Sequence, residues 1–383
     1  MFMNGELKGS KPDSPCQPFP SPLPGYQGGV TGDDRTAKLP SELVLPTAVL
    51  GASGPRAAGP HGIVDLMPLH EKALIKRVWQ RARTGSSVVK GIGDDCAVLR
   101  VPPGHELLVT TDFTIEKVHF RRDWHRPDAI GRRCLARGLS DIAAMGGEPR
   151  AAFLSLALPS DVPQKWVDRF FTGLLTLANE CKVPLAGGDT AESPVGIQAD
   201  IVVVGSVPKG RAVLRSGARP GDQIYVTGEL GASAAALAAM AVERPMGAES
   251  RALFRPKPRL SVGEWLRRRG VPSAMIDVSD GLSTDLAHIC KDSHVGAEIE
   301  AATIPLARMG QRKQEVALDL ALHGGEDYEL LFTSSKNVPA RVAGVRVTRI
   351  GRITLAHGMR VLDAEGRPQK LEVRGWEHFR GNS

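Results

Sequence analysis

Residues Ala274–Lys291 read AMIDVSDGLSTDLAHICK, and the order of residue types in this stretch decides the fold. An apolar run over Ala274–Val278 predicts a strand, and the residues from Ser279 to Lys291 predict a helix with Ser279 as its N-cap. Asp277 closes the strand and Asp280, three residues on, opens the helix, so both carboxylates can aim at one point beside a helix N-terminus. A strand that passes through an acidic turn into a helix belongs to an α/β or α+β fold. Five further acidic motifs lie elsewhere in the chain: GIGDDCAVL (Gly91–Leu99), VTTDF (Val109–Phe113), GLSDIAAMGG (Gly138–Gly147), LAGGDT (Leu185–Thr190) and HGGEDYEL (His323–Leu330).

Any one of these motifs reads equally well as a helix cap. Six of them argue for convergence. Carboxylates brought together repel one another unless cations neutralise them. The suitable cation is hard and oxygen-loving, Mg2+ first, and Mg2+ favours a few carboxylates plus substrate phosphates over an all-protein cage. Thr110-Thr111-Asp112 adds two hydroxyls to a carboxylate, an all-oxygen set. Asp141 lies in a helix whose apolar side is Leu139, Ile142 and Met145, where a surface acid is the alternative. Gly187-Gly188-Asp189-Thr190 predicts a bend after an apolar strand, with glycines that let backbone N–H groups approach a phosphate.

Working outward, strands are expected at Cys96–Leu99, Leu107–Thr110, Phe153–Leu158, Val183–Ala186, Ile197–Val207 and Gln223–Thr227. Helices are expected at Pro127–Met145, Pro163–Cys181 and Ala232–Val242, with another before Gly324. The turn-rich Arg215–Asp222 separates the two halves, giving domains 66–208 and 209–383. Residues 1–62 hold ten of the 28 prolines and no sustained apolar period, so they are expected to be disordered, or to precede a true start at Met67. The folded chain is expected to begin near Leu66–Leu69, with Ala73, Leu74, Val78 and Trp79 at helical spacing.

At 383 residues, 42% apolar and 24% charged, the composition is that of a soluble two-domain protein. No run approaches the roughly 18–20 apolar residues of a membrane span, and no signal peptide is visible. Five cysteines without CxxC spacing suit free thiols in the cytoplasm. The net charge of +7 falls in the folded part, because residues 1–62 carry five basic and five acidic groups. Arg267-Arg268-Arg269 is the densest basic run and reads as a solvated helix face, so nucleic-acid binding is not expected. The chain lacks a P-loop, HExxH and GxSxG; Gly228-Glu-Leu-Gly231 is read as a structural turn, because it lacks GxGxxG. His119 can touch a substrate phosphate or serve as a half-buried structural histidine.

Taken together, GIGDD, TTD with VHF, SDIAAMG, GGDT, RSGARPGD, DVSDGL, GGEDYELLF and GWEHF resemble the thiamine-monophosphate kinases, relatives of aminoimidazole ribonucleotide synthetase, from about Leu69 to Phe379. The resemblance implies a mixed-sheet N-terminal dimerisation domain, a C-terminal α/β domain, a homodimer, and transfer of the γ-phosphoryl group of ATP onto thiamine monophosphate. It implies several Mg2+ ions on Asp95, Thr110, Thr111, Asp112, Asp141, Asp189, Asp277 and Asp280. It also implies ATP contacts at Gly188, Asp189, Arg215 and Ser279, and substrate contacts at His119, Glu326 and Trp376. No general base is expected, because a phosphate monoester with a second pKa of about 6 is already mostly dianionic at neutral pH. Arginine suits polyphosphate, and Arg215 is read as a clamp on it ahead of the alternative, a surface turn residue; Glu326 could meet the thiazolium or the aminopyrimidine, and Trp376 could stack on either ring. Two features depart from the family. Asn179-Glu180-Cys181 stands where an aromatic often precedes GGD, and Lys117 stands where glycine is usual. Selenophosphate synthetase and the hydrogenase-maturation relative would need reactive cysteines that this chain lacks, and aminoimidazole ribonucleotide synthetase does not usually carry HGGEDYEL with GWEHF.

Overall fold

A computed structural model describes residues 69–242, 251–310 and 312–376. The proline-rich residues 1–62, the start at Met67 and the closing residues 377–383 lie outside the described residues. The first half runs α1 (Glu71–Arg81), β1 (Val88–Lys90), β2 (Val98–Leu99), β3 (His105–Ile115), α2 (Pro127–Ala144), β4 (Glu148–Leu158), α3 (Gln164–Glu180), β5 (Leu185–Glu192) and β6 (Gln198–Pro208). The second half opens with β7 (Gln223–Thr227), α4 (Ala232–Ala241), α5 (Arg251–Phe254), α6 (Leu260–Arg268), β8 (Ala274–Asp277), α7 (Leu282–Ser293) and β9 (Gly296–Glu300). It closes with β10 (Arg308–Met309), β11 (Gln314–Glu315), α8 (Leu318–His323), β12 (Leu330–Ser334), β13 (Arg341–Val342), β14 (Val345–Thr354), β15 (Gly358–Leu362) and β16 (Pro368–Lys370).

The first half builds a four-stranded mixed sheet, ordered β3-β6-β4-β5, in which only the β4–β5 pair is parallel. Alternation along β6 buries Ala199, Ile201 and Val203 against α2 and α3, which contribute Leu135, Leu139, Phe170 and Leu174. The two helices cross at glycines: a Cβ on Gly131 would lie 2.0 Å from Phe170 O, and one on Gly173 would lie 1.8 Å from Asp128 O. The opposite face of the sheet is open, and along β3 it presents Leu107, Val109 and Phe113 at 52%, 66% and 57% exposure.

The second half builds an eight-stranded mixed sheet along the path β16-β15-β9-β14-β7-β12-β8, with β13 paired to β14. One face packs Ile224, Val226 and Ile276 against Leu286 and Ile289 of α7. The other packs Tyr225, Met275 and Phe332 against Val262 and Leu266 of α6 and against Ala143 and Ala144 of α2. Helix α2 therefore serves both sheets. Its last turn fits closely on α6, where a Cβ on Gly263 would lie 2.1 Å from Ala143 O.

Three local expectations are corrected. TTD and GGDT lie inside strands rather than at strand ends or bends. β3 pairs with β6 without a break from His105↔Pro208 to Ile115↔Gln198, and β5 pairs with β4 through Ser155↔Asp189, so neighbouring strands extend both segments. Ser279 is not the cap of α7. That helix starts at Leu282 behind Gly281, whose φ of 116° suits glycine. Arg267 is not on a solvated face: it is 6% exposed and donates to Gly146 O at 2.6 Å.

Candidate active site

A cleft of about 880 Å3 opens where α2, the β8–α7 turn, the loop after β3 and the turn before β12 come together. Asp112, His119, Asp141, Arg215, Asp277, Ser279, Asp280, Glu326 and Trp376 all line it. Each arrives by a different route. Asp112 projects from the α2-facing side of β3 and Asp141 from α2, while Asp277 ends β8 and is 3% exposed. Thr110 lies behind the cluster and donates its hydroxyl to Asp141. Ser140 Oγ donates to Asp277 Oδ2 at 2.6 Å, tying α2 to the second sheet.

These carboxylates perturb one another. Burial, then the Asp141 charge, pushes the Asp112 carboxyl well above its usual range, and the same two causes act on Asp277. Burial also raises Asp141, against the Thr110 hydrogen bond and the nearby Arg215 charge. Arg137 and Arg215 offset part of this repulsion, and the carboxyls stay raised in spite of them.

The Ser279-Asp280-Gly281 turn is held from below. Asp285, 1% exposed, accepts the backbone N–H groups of Ser279, Asp280 and Gly281 on Oδ2 at 3.1, 3.2 and 3.1 Å. Ligand atoms of Asp280, Asp285 and His288 lie within 4.8 Å of one another. The Gly324-Gly325 turn packs backbone to backbone on this loop: Glu326 N donates to Ser279 O at 2.8 Å, and a Cβ on Gly325 would lie 2.5 Å from that oxygen. The segment before residue 377 closes over the same turn, with Gly375 N donating to Thr284 Oγ1 and Trp376 N to Asp280 O, both at 3.1 Å.

The acids of HGGEDYEL separate into three jobs. Glu326, at φ 66°, faces the cleft. Asp327 accepts the N–H of Gly231 at 2.7 Å, in front of α4. Glu329 is buried and pairs with Arg259 and with Thr227 Oγ1. Glu326 also meets two guanidiniums that the sequence reading missed, those of Arg133 and Arg137. Burial pushes its carboxyl up, but those two cations outweigh burial and hold it below its usual range. The signal was present in the sequence: Arg133, Arg137 and Asp141 recur every four residues, and so form one stripe along α2. Asp285 was missed because a helix-interior acid looks like a surface residue.

The remaining expected residues lie outside the cleft lining. Asp95 sits in the exposed β1–β2 loop beside Asp94, which pairs with Lys90. Thr111 points to the open face of the first sheet, where its hydroxyl donates to Asp200 Oδ1 at 2.6 Å. Asp189 shares that face through the register Asp200↔Ser155↔Asp189. Gly188, at φ 146°, allows the close strand contact, since its Cβ would lie 1.9 Å from Leu154 O. Asn179-Glu180-Cys181 ends α3, and Glu180 is tied to Arg132 at 2.7 Å.

Comparison with known proteins adds relatives to this geometry. Residues 93–207 match the AIR synthase related protein N-terminal domain, and residues 219–362 match its C-terminal domain. The thiamine-monophosphate kinase of Escherichia coli (strain K12) is 39% identical over 328 residues, covering 82% of this chain and 99% of that protein. The crystal structure of thiamine-monophosphate kinase from Stenotrophomonas maltophilia K279a superposes with a TM-score of 0.68 at 34% identity, covering 78% of this chain and 97% of that one. The solved complex of AaThiL with AMPPCP and TMP superposes with a TM-score of 0.64 at 32% identity, covering 80% and 96%.

Proposed function

Because the chain belongs to the thiamine-monophosphate kinases of the AIR synthase-related family and is thereby a kinase, we propose that it transfers the γ-phosphoryl group of ATP directly onto the phosphate of thiamine monophosphate. The products are ADP and thiamine diphosphate. The observation that carries this reading is the convergence of Asp112, Asp141 and Asp277, from three separate segments, in one cleft that Arg133, Arg137 and Arg215 also line. The all-oxygen donor set and the mutual pKa elevation fit Mg2+, with Asp112, Asp141, Asp277 and Asp280 as the residues that would hold it in the cleft. Bound Mg2+ would screen the repulsion between the dianionic acceptor and the polyphosphate and favour in-line transfer.

The chain's own groups do the positioning. Arg215 reaches the acid cluster and suits the polyphosphate. Ser279, fixed by the turn, faces the same space. With two guanidiniums on it, Glu326 offers no spare counter-charge to a thiazolium, so its part is to accept a hydrogen bond from the aminopyrimidine. Trp376 stacks on a ring, and His119 completes the wall. No general base is required.

Asp95, Thr111, Gly188 and Asp189 remain proposed ligand and ATP residues, on the open sheet face or the loop beside it. We read that face as the surface of a homodimer, since Leu107, Val109 and Phe113 form an apolar stripe there. The two domains would be 66–208 and 209–383, because each sheet has its own core and the chain passes from one to the other once, between Pro208 and Gln223. Among the described residues no helix is long and apolar enough to cross a membrane. The free thiols of Cys96, Cys134, Cys181 and Cys290 favour a cytoplasmic location. Incubation with ATP, Mg2+ and thiamine monophosphate, followed by phosphorus NMR, tests the reaction. ADP and thiamine diphosphate should rise together; ADP with free phosphate alone would move the acceptor elsewhere, and no turnover by folded protein would end the assignment.

A further inference from the structure

The two cleft arginines of α2 are held differently. Arg133 is 5% exposed at its side chain and closes directly on Glu326. Arg137 is suspended between two acids, with Nη1 3.5 Å from Glu326 Oε1 and Nε 3.7 Å from Asp112 Oδ1. Neither distance makes a strong hydrogen bond, and Nε is buried with no hydrogen-bond partner among the described residues. Arg133 already pairs with Glu326, so Arg137 can leave that carboxylate without stranding it. Its guanidinium spans the step from the substrate-side carboxylate to the acid cluster. An acceptor phosphate must lie across that same step to meet the γ-phosphorus.

We propose that Arg137 is a catalytic residue whose guanidinium binds the phosphate of the acceptor and keeps it in line with the γ-phosphoryl group, an assignment that rests on the kinase reading above. An oxygen of the acceptor phosphate forms the new bond to the γ-phosphorus. The bond from the γ-phosphorus to the bridging oxygen breaks, and its electron pair leaves on ADP. No proton is moved. The donors of Arg137 turn from Glu326 and Asp112 to the oxygens of the acceptor phosphate, while Arg133 keeps Glu326 paired.

The test separates phosphate recognition from a purely structural role. Arg137→Met and wild type are compared for thiamine diphosphate formation, and for binding of thiamine monophosphate and of thiamine, which lacks the phosphate, by titration calorimetry. Removing a charged donor from the reacting group is expected to lower kcat/KM for thiamine monophosphate by about 100-fold or more. Thiamine affinity should change by less than about threefold on the same reasoning, because that ligand presents no phosphate oxygen for Arg137 to bind. A Met variant with wild-type kcat/KM overturns the proposal, as does one that loses both ligands equally. If the Met variant does not fold, Arg137→Lys, which keeps the charge but not the fork, is read by the same ratio; a selective loss for the monophosphate supports the proposal, and none overturns it. Wild-type protein that makes no thiamine diphosphate overturns the kinase reading itself, and so is distinct from failure at Arg137 alone.

Discussion

The turn that carries Ser279 and Asp280 into the cleft depends on one side chain behind it, and replacing Asp285 exposes that dependence. Its Oδ2 accepts three consecutive backbone N–H groups. In Asp285→Ala the Gly281 N–H stays buried without a partner, while those of Ser279 and Asp280 border the cleft and can reach water. One stranded donor at 1–3 kcal/mol and two lost bonds near 1 kcal/mol each sum to about 4 kcal/mol. For a chain of this size, with an unfolding entropy of about 2 cal/mol/K per residue, that corresponds to a fall in Tm of about 5 °C. Asp285→Asn keeps an acceptor oxygen and removes a charge that burial, Asp277 and Asp280 all disfavour, so its cost should be about 1 kcal/mol. Thermal melts read the stability. Kinase assays well below both midpoints read the turn, and the Ala variant should lose activity there while the Asn variant keeps most of it. An Ala variant that melts and turns over like wild type would refute the reasoning, and an Asn variant as damaged as Ala would show that charge, not the acceptor, holds the turn.

Lys117 has φ 67°, a left-handed backbone conformation that disfavours residues with a Cβ. Lys117→Gly should therefore raise stability by up to about 1 kcal/mol in a denaturant melt, while removing a cation from the cleft wall. Arg259→Met would strand the buried Glu329 carboxylate and should cost about 3–5 kcal/mol, with Glu329→Gln in the same chain recovering part of it in a double-mutant cycle. Burial pushes the Asp327 carboxyl up to about 7, against the N–H groups of Gly231 and Ser233. The folded chain thus keeps a proton that the unfolded chain has released, so this group lowers stability as pH rises from about 4 through 7. Melts in EDTA across that window should show the decline, and Asp327→Asn should make it shallower, with the share from Asp112, Asp141, Asp277 and Asp285 remaining.

The sequence revealed more of the site's chemistry than of its placement. Gln223–Thr227 and the helix over Pro127–Met145 were legible because their own residues carry the periodicity that long-range packing then uses. The strand context of Asp112 and Asp189 was not legible, since β3 and β5 extend only through pairing with neighbours distant in sequence. Strand pairing also decides direction. Thr110 and Asp112 turn to α2, while Thr111 between them turns to the open face, so a contiguous TTD cannot place all three groups in one cleft of one chain. The arginines of α2 share one stripe with Asp141 by their four-residue spacing, but their partner Glu326 is almost two hundred residues away in sequence, so only the fold brings them together.

Manganese binding followed by electron paramagnetic resonance, with AMPPCP present, tests most directly whether the convergent carboxylates hold a metal–polyphosphate complex. Wild-type chain is expected to bind more than one ion together with the nucleotide, and Asp141→Asn, folded by its melt, is expected to lose that binding. Unchanged manganese and nucleotide binding in Asp141→Asn would contradict the account.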